Sequence, residues 1–263
     1  MTPTGHHRAG AGAPTSIWDF PEHGSRGPRP RHSRAAIAAL AVRIADADGL
    51  EAVTMRRLAG ELGIAVMSLY NYVPAKDHLA QLMSDHLAAE YAYPATPPSD
   101  PRAAIAMLAR QSRDIARRHP WLAGLLHRPM PTGPNGLRHL DYFLGLLAGS
   151  RLSTAAKLEV IAMISGFAIM YGAMQAAPAG QLASPAEQAQ ALTRAAARGR
   201  YPNLAAALAT AGQPRGHADI FGSSIERLID LARLGLQHSG NLFEPSLGNP
   251  IGCRWPRRMR TVV

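Results

Sequence analysis

Thr54 to Val73 reads TMRRLAGELGIAVMSLYNYV, and the reading of this stretch decides the fold. Thr54 is suited to cap a helix, because its hydroxyl can accept a hydrogen bond from an otherwise unpaired first-turn N–H. Leu58, Ala59 and Leu62 then fall on one face at helical spacing. Gly63 follows directly, where a left-handed residue ends a helix without a side-chain clash. Ile64 fills the corner, Leu69 turns inward from a second short helix, and Ala59 is small where the two helices must cross. The pattern is that of a helix-turn-helix, whose second helix lies in the DNA major groove. A helical hairpin that only packs shows the same spacing of small residue, glycine and apolar side chain, so the pattern alone leaves both open.

Working outward, Ser33 to Asp48 forms an amphipathic helix with Ile37, Leu40, Ala41, Ile44 and Ala45 on one stripe, stopped by Gly49. A further helix runs from about Ala75 to Tyr91, its inward stripe being Leu79, Leu82, Met83 and Leu87. The proline-rich run from Pro94 to Pro101 marks a domain boundary. Beyond it the pattern stays helical. One helix reaches Arg118 and is broken at His119-Pro120. A short piece covers Trp121 to Leu126, and an irregular Pro/Gly stretch follows. A helix from Asn135 to Ala148 carries Leu137, Leu140, Leu144 and Leu147. Ser153 caps a long apolar helix to about Ala177. Residues 178–203 read as a loop with a weak helix inside. Asp219 is placed to cap a final helix ending near His238, with Ile225, Leu228, Ile229, Ala232 and Leu236 inward.

The chain of 263 residues is long enough to bury a substantial core, and 47% hydrophobic content with 17% charge describes a globular protein. The apolar weight lies in Ala and Leu with only 6% aromatic residues, which favours helix over sheet. The fold class is therefore all-α: a three-helix helix-turn-helix domain joined to a larger helical domain. The expected division is an Arg/Pro/Gly-rich disordered arm over 1–32, the DNA-binding domain over 33–92, a second helical domain over 93–242 and a loose basic tail over 243–263. Within the arm, Ile17, Trp18 and Phe20 make one short apolar island.

The single cysteine, Cys253, provides no internal disulfide and fits a cytoplasmic location. No secretory signal opens the chain. The apolar run Leu158 to Ala177 contains Glu159, Ser165, Gly166, Gly172 and Gln175, and is read as a buried helix rather than a membrane span. The formal charge of +10 is unevenly spread: residues 35–92 hold four basic side chains against seven acidic ones. Affinity for DNA must then come from a few placed groups, helix N-termini and the flanking arm, in which Arg26, Arg29, Arg31 and Arg34 precede the first helix. The motifs G-x-S-x-G, Walker loop, H-E-x-x-H and dinucleotide fingerprint are missing, so no enzyme, metal site or cofactor is expected.

Leu69-Tyr70-Asn71-Tyr72-Val73-Pro74-Ala75-Lys76-Asp77 resembles the signature that closes the DNA-binding domain of TetR-type transcriptional repressors. His119-Pro-Trp, the helix from Asn135, the Ser-Gly-Phe segment at 165–167 and Tyr201-Pro-Asn-Leu resemble the branch with a tetracycline-repressor-like C-terminal domain. The resemblance implies a homodimer in which the long helix 153–177 and the helix 219–238 form a four-helix seam, with Gly166 and Gly172 allowing close approach. It also implies a ligand-responsive repressor that a small effector releases from an inverted-repeat operator in double-stranded DNA. The alternative is a helical small-molecule-binding protein or enzyme without specific DNA binding.

Ala65, Val66, Met67, Ser68, Asn71 and Tyr72 are the exposed positions of the second motif helix. Asn71 suits adenine, while Val66 and Met67 suit a thymine methyl. Tyr70 or Tyr72, and Lys76, match positions that hold phosphate in the family, and Thr54 and Arg56 at the start of the preceding helix are further candidates for backbone contact. For the effector pocket, Trp121, His127, Phe143, Phe167, Met170, Tyr171 and Met174 are the candidate lining residues. A gapless match puts His127 at the metal-ligating histidine of the family's best-known member. Gly166 and Met174 stand where that member has a second histidine and a glutamate. A rather apolar effector without metal is therefore expected.

Overall fold

The computed structural model describes residues 16–20, 32–94, 96, 100–126, 132–177, 185–210 and 217–234, and among these it is helical without strands. Helix α1 (Arg34–Asp48) starts where Ser33 Oγ accepts the N–H of Ala36, and it ends at Gly49 with φ of +84°. After a 3-10 turn over Leu50–Ala52 comes α2 (Met55–Leu62), whose cap is Thr54: its Oγ1 accepts the N–H of Arg57 at 3.2 Å. Gly63 takes the left-handed conformation at φ of +66°, and the N–H of Ile64 returns to the carbonyl of Ala59. That corner launches α3 (Val66–Tyr70), and α4 (Lys76–Ala88) closes the first unit.

The inward stripes of α1 and α4 are all buried as their periodicity requires, and they enclose Leu58, Ala59 and Leu69 of the two motif helices. Ile17, at the start of a 3-10 turn over Ile17–Asp19, is fully buried in the same core. The N–H of Ile17 donates to Gln81 Oε1 at 2.8 Å. Arg34 Nη1 donates to the carbonyls of Ile17 and Phe20, and its Nε donates to the carbonyl of Tyr72. Arg34 is therefore a buried tie between the apolar island and the DNA-reading motif, whereas the sequence groups it with the arm arginines expected to contact DNA. The structure thus gives residues 16–20 an ordered seat, although they fall in the stretch expected to be disordered. Arg26, Arg29 and Arg31 lie outside the described residues.

The second part is built on the pair α5 (Pro101–Arg118) and α7 (Thr154–Gln175). Asp100 caps α5 ahead of Pro101, and Ser153 caps α7. A Cβ at Gly172 would overlap the backbone carbonyl oxygen of Arg113, so only glycine lets these two helices lie this close. Gly172 therefore serves packing within the chain, while a Cβ at Gly166 would meet nothing. A 3-10 stretch over Pro120–Leu125, α6 (Pro134–Leu146) and α10 (His217–Leu234) pack around this pair. Leu108, Phe143, Ile164 and Ile225 are its largest fully buried side chains. By length and composition α7 is apolar enough to cross a membrane, yet here it is the helix on which α5, α6 and α10 pack.

Three details depart from the sequence reading. The stretch 178–203 contains a full helix, α8 (Pro185–Ala196), and α9 (Pro202–Ala209) follows after a turn at Gly199. Their alanine-rich sequence has no apolar stripe to announce them. Helix α10 begins at His217, so Asp219 lies inside its first turn rather than before it. Leu137, expected on the inward stripe of α6, is exposed, while Leu147 is buried as expected and Phe143 joins it. Leu236, His238 and the tail 243–263 lie outside the described residues.

Candidate nucleic-acid interface and ligand cavity

The turn at Gly63 sets the direction of α3, and the burial of Leu69 fixes its rotation. Met67 then faces outward with 75% of its surface exposed, and Ala65, Tyr70 and Asn71 are exposed beside it. Val66 and Ser68 are half-buried. Tyr72 is also half-buried, packing on the first core with its ring edge-on to His32. Lys76 at the start of α4, and Thr54 and Arg56 at the start of α2, are exposed. Arg57, next to Arg56, is committed within the chain: it pairs with Asp48 at 2.6 Å and Glu61 at 3.1 Å, and these hydrogen bonds raise its pKa. The surface therefore brings an uncharged helix face together with separate cationic groups at its margins. That suits groove contact by α3 and phosphate contact by the flanks.

A cavity of about 290 Å³ lies under α4, between the motif domain and the helices behind it. Gln81 and Asp85 from α4, His139 from α6, and Ser165 and Ile169 from α7 line it, with Tyr91 from the segment after α4. Tyr91 is held by a 2.7 Å hydrogen bond between its hydroxyl and Ser112, and burial pushes its pKa up to about 12. His139 stacks on Tyr91 with ring centroids 4.0 Å apart, and burial lowers its pKa to about 4, so its imidazole is neutral. His139 Nδ1 lies 3.3 Å from the hydroxyl of Tyr93. His139 Nε2 and Ser165 Oγ are both buried without a hydrogen-bond partner among the described residues.

The residues expected from the sequence to line an effector pocket lie apart from this cavity. Trp121 sits at the junction of the two parts, where its Nε1 donates to Asp46 at 2.7 Å. His119 bridges the same Asp46 and Glu90 through its two ring nitrogens, and Arg118 also pairs with Glu90. Phe143 is fully buried in the second core, and Phe167 and Tyr171 cluster with Phe221 of α10. Met170 and Met174 project outward from α7. None of these six lines the cavity under α4, and His127 lies outside the described residues. The residues that do line it carried weak signals: His139 stands one turn before Phe143 on α6, and Ser165 belongs to the Ser-Gly-Phe segment.

Comparison with known proteins gives the same assignment from two directions. Residues 93–232 match the family model described as "Tetracyclin repressor-like, C-terminal domain". The chain is 34% identical over 229 residues to the HTH-type transcriptional repressor DrrR1 of Streptomyces coeruleorubidus, covering 81% of this chain and 82% of that protein. It is 30% identical over 169 residues to an HTH-type transcriptional regulator of Saccharopolyspora erythraea, covering 64% of this chain and 71% of the other. Among solved structures it resembles the TetR family protein ActR of Streptomyces coelicolor in complex with actinorhodin. That likeness has a TM-score of 0.65 and 25% identity over 80% of this chain and 100% of that one. The matched family model, the two helix-turn-helix relatives and the motif geometry at Gly63 together place the chain in the TetR family of ligand-responsive, DNA-binding transcriptional regulators.

Proposed function

We propose that the chain acts as a homodimeric repressor that a small, largely apolar effector releases from an inverted-repeat operator. The observation that carries this reading is the position of the cavity. Its wall is shared by α4, which ends the DNA-reading domain, and by α6 and α7 of the domain behind it. An occupant that prefers one spacing of these helices shifts the population of head positions by its differential affinity for the two states. In this reading Ala65, Val66, Met67, Ser68 and Asn71 face bases, and Thr54, Arg56, Tyr70, Tyr72 and Lys76 face phosphates.

Dimerisation is supported by the outer face of α7. Met163, Met170 and Met174 are exposed there at helical spacing, flanking Gly166, and Leu231 of α10 is exposed as well. Such an apolar stripe on a chain of this size marks an interaction face. Two copies joined through it would present two motif helices to successive turns of one DNA face. A target in duplex DNA also places the working protein in the cytoplasm.

The test is fluorescence anisotropy with duplexes tiled across the gene's own upstream region, at about 150 mM salt with excess competitor DNA. Saturable binding of two chains to one inverted repeat supports the reading. Weak binding indifferent to sequence removes it and leaves a helical small-molecule-binding protein.

A further inference from the structure

We propose that residues 16–20 brace the joint between the DNA-reading domain and α6, and that Trp18 thereby sets which half-site spacing the protein accepts. The proposal rests on the reading of the chain as a dimer on an inverted repeat, and it names a positioning residue for that reading.

The segment is short, yet it is tied to the head along its length. Ser16 Oγ accepts the N–H of Trp18 and starts the 3-10 turn. The N–H of Ile17 donates to Gln81 Oε1 of α4, and the Ile17 side chain is fully buried in the first core. Arg34 of α1 donates to the carbonyls of Ile17 and Phe20. The ring of Phe20 stands edge-on to His78 of α4, with centroids 5.4 Å apart. Polar bonds and apolar burial on two helices together fix the position of this backbone.

Trp18 is the residue that reaches out of the head. Its ring touches Gly133, the residue before α6, so closely that a Cβ there would overlap it. The carboxylate of Asp85 meets the same glycine. Three stretches distant in sequence thus converge on one point, and a residue without a Cβ is what admits both side chains. A space of about 360 Å³, lined by Trp18, Leu82, Asp85, His86 and Asn135, stays open on this side of α4. The head and α6 are therefore not packed solid here, and the indole spans the gap. Indole is suited to the task, because it supplies a large rigid surface with only two side-chain torsions to fix.

A dimer reads two half-sites at a separation set by the distance between its motif helices. Freedom left to the heads is lost on docking, so a braced head binds the matching spacing more tightly. It also resists moving to a spacing that does not match. Without the brace, affinity for the proper spacing falls and tolerance of others widens.

The experiment is fluorescence anisotropy on the full-length protein with its operator duplex and with versions whose half-sites are moved by one or two base pairs. The wild type should lose ~10-fold or more on the shifted duplexes, in the range of a mismatched specific contact. Trp18→Ala should bind the native duplex ~3-fold or more weakly and discriminate by no more than ~3-fold, as expected when preorganisation is lost. Trp18→Phe keeps a flat ring beside Gly133 and should retain most of the wild-type discrimination. Hydrogen exchange read by mass spectrometry on the same proteins should show faster exchange over Pro134–Leu146 in Trp18→Ala, with Met55–Leu62 unchanged. Wild-type spacing preference in Trp18→Ala overturns the proposal, as does tighter binding of the native duplex. The arginines at 26, 29 and 31 remain in every variant. A shallower salt dependence in Trp18→Ala would therefore show that Trp18 acts by placing this arm on phosphate, which also overturns the brace. If the wild type prefers no duplex, the regulator reading falls and takes the spacing role with it. The exchange rates then decide the brace alone: faster exchange in α6 upholds it, and equal rates sink it.

Discussion

Asp85 on α4 caps a helix to which it does not belong. Its Oδ1 accepts the N–H of Gly136 at 2.9 Å and its Oδ2 accepts the side-chain amide of Asn135 at 3.0 Å, both in the first turn of α6. Gly133, which precedes α6, has no side chain of its own to cap that turn, and a Cβ there would overlap Asp85 and the ring of Trp18. The DNA-reading domain thus supplies the negative group that the N-terminus of α6 needs. The same side chain lines the cavity, so an occupant touches this joint directly.

Asp85→Ala should therefore cost about 1–2 kcal/mol, since it removes the cap from a part-buried N–H and a part-buried amide. Urea unfolding measures the loss. If Asp85 also carries the effector's signal, the variant should still bind operator while responding less to ligand. An unchanged unfolding midpoint would reduce the cap to an incidental contact.

Arg34 offers a second check on the join between the apolar island and the motif. Its guanidinium donates to the carbonyls of Ile17, Phe20 and Tyr72, a fan of bonds that the single ammonium of lysine cannot reproduce. Arg34→Lys should lower stability by about 1–3 kcal/mol and expose residues 16–20 to proteases. Limited proteolysis followed by mass spectrometry reads the cut sites. Equal protection in both proteins would mean that Ile17 in its apolar seat holds the segment unaided.

The motif was legible because each residue from Thr54 to Leu69 has one job set by local geometry. A cap hydroxyl, a left-handed glycine and an inward leucine leave marks at fixed spacings, and the structure puts all three to that use. The helices of the second domain were legible for the same reason wherever a cap or a proline marks the start, as at Ser153 and Pro101. The cavity was not legible. Its wall joins Gln81, Tyr91, His139 and Ser165, residues separated by up to 84 positions, and only the packing of α4 against α6 and α7 brings them together. Large apolar residues such as Phe143 and Tyr171 drew attention as lining because they are large, and that size put them in the core instead. Arg34 misled for a related reason: a basic residue beside an arginine-rich arm looks solvated until its three carbonyl partners are known.

Gly172 and Gly166 lie on one helix and should answer the same substitution in opposite ways. At Gly172 a methyl group would meet the backbone carbonyl of Arg113, which cannot move without shifting α5, and the Ala116 side chain lies 3.0 Å away. Gly172→Ala should destabilise the chain by about 1–3 kcal/mol through overpacking. At Gly166, inside α7, nothing stands within 4 Å, so Gly166→Ala should raise the unfolding midpoint of the isolated chain slightly, by the roughly 0.5–1 kcal/mol that alanine gains over glycine in a helix. If α7 forms the dimer seam, the same change should raise the dimer dissociation constant, which sedimentation velocity measures. Gly166→Ala with unaltered self-association would move the seam off this face.

The stability of the protein should fall as pH drops through the range set by His139. In the folded chain burial holds the imidazole neutral down to about pH 4, whereas in the unfolded chain it takes up a proton near its ordinary value of about 6.5. Between those values the unfolded state binds more protons, so acid favours unfolding. The contribution is fully present above pH ~6.5 and is lost progressively down to pH ~4, and a difference of this size corresponds to about 3 kcal/mol. Carboxylates titrate in the lower part of the same window, so the slope of the wild type alone does not isolate the histidine. His139→Phe removes the ionisation and keeps an aromatic ring beside Tyr91. Its free energy of unfolding, measured in urea at steps from pH 7 to pH 4.5, should therefore decline less steeply than that of the wild type, with the gap between the two curves widening below pH ~6.5. Parallel curves would show that His139 takes up its proton as readily in the folded chain as in the unfolded one.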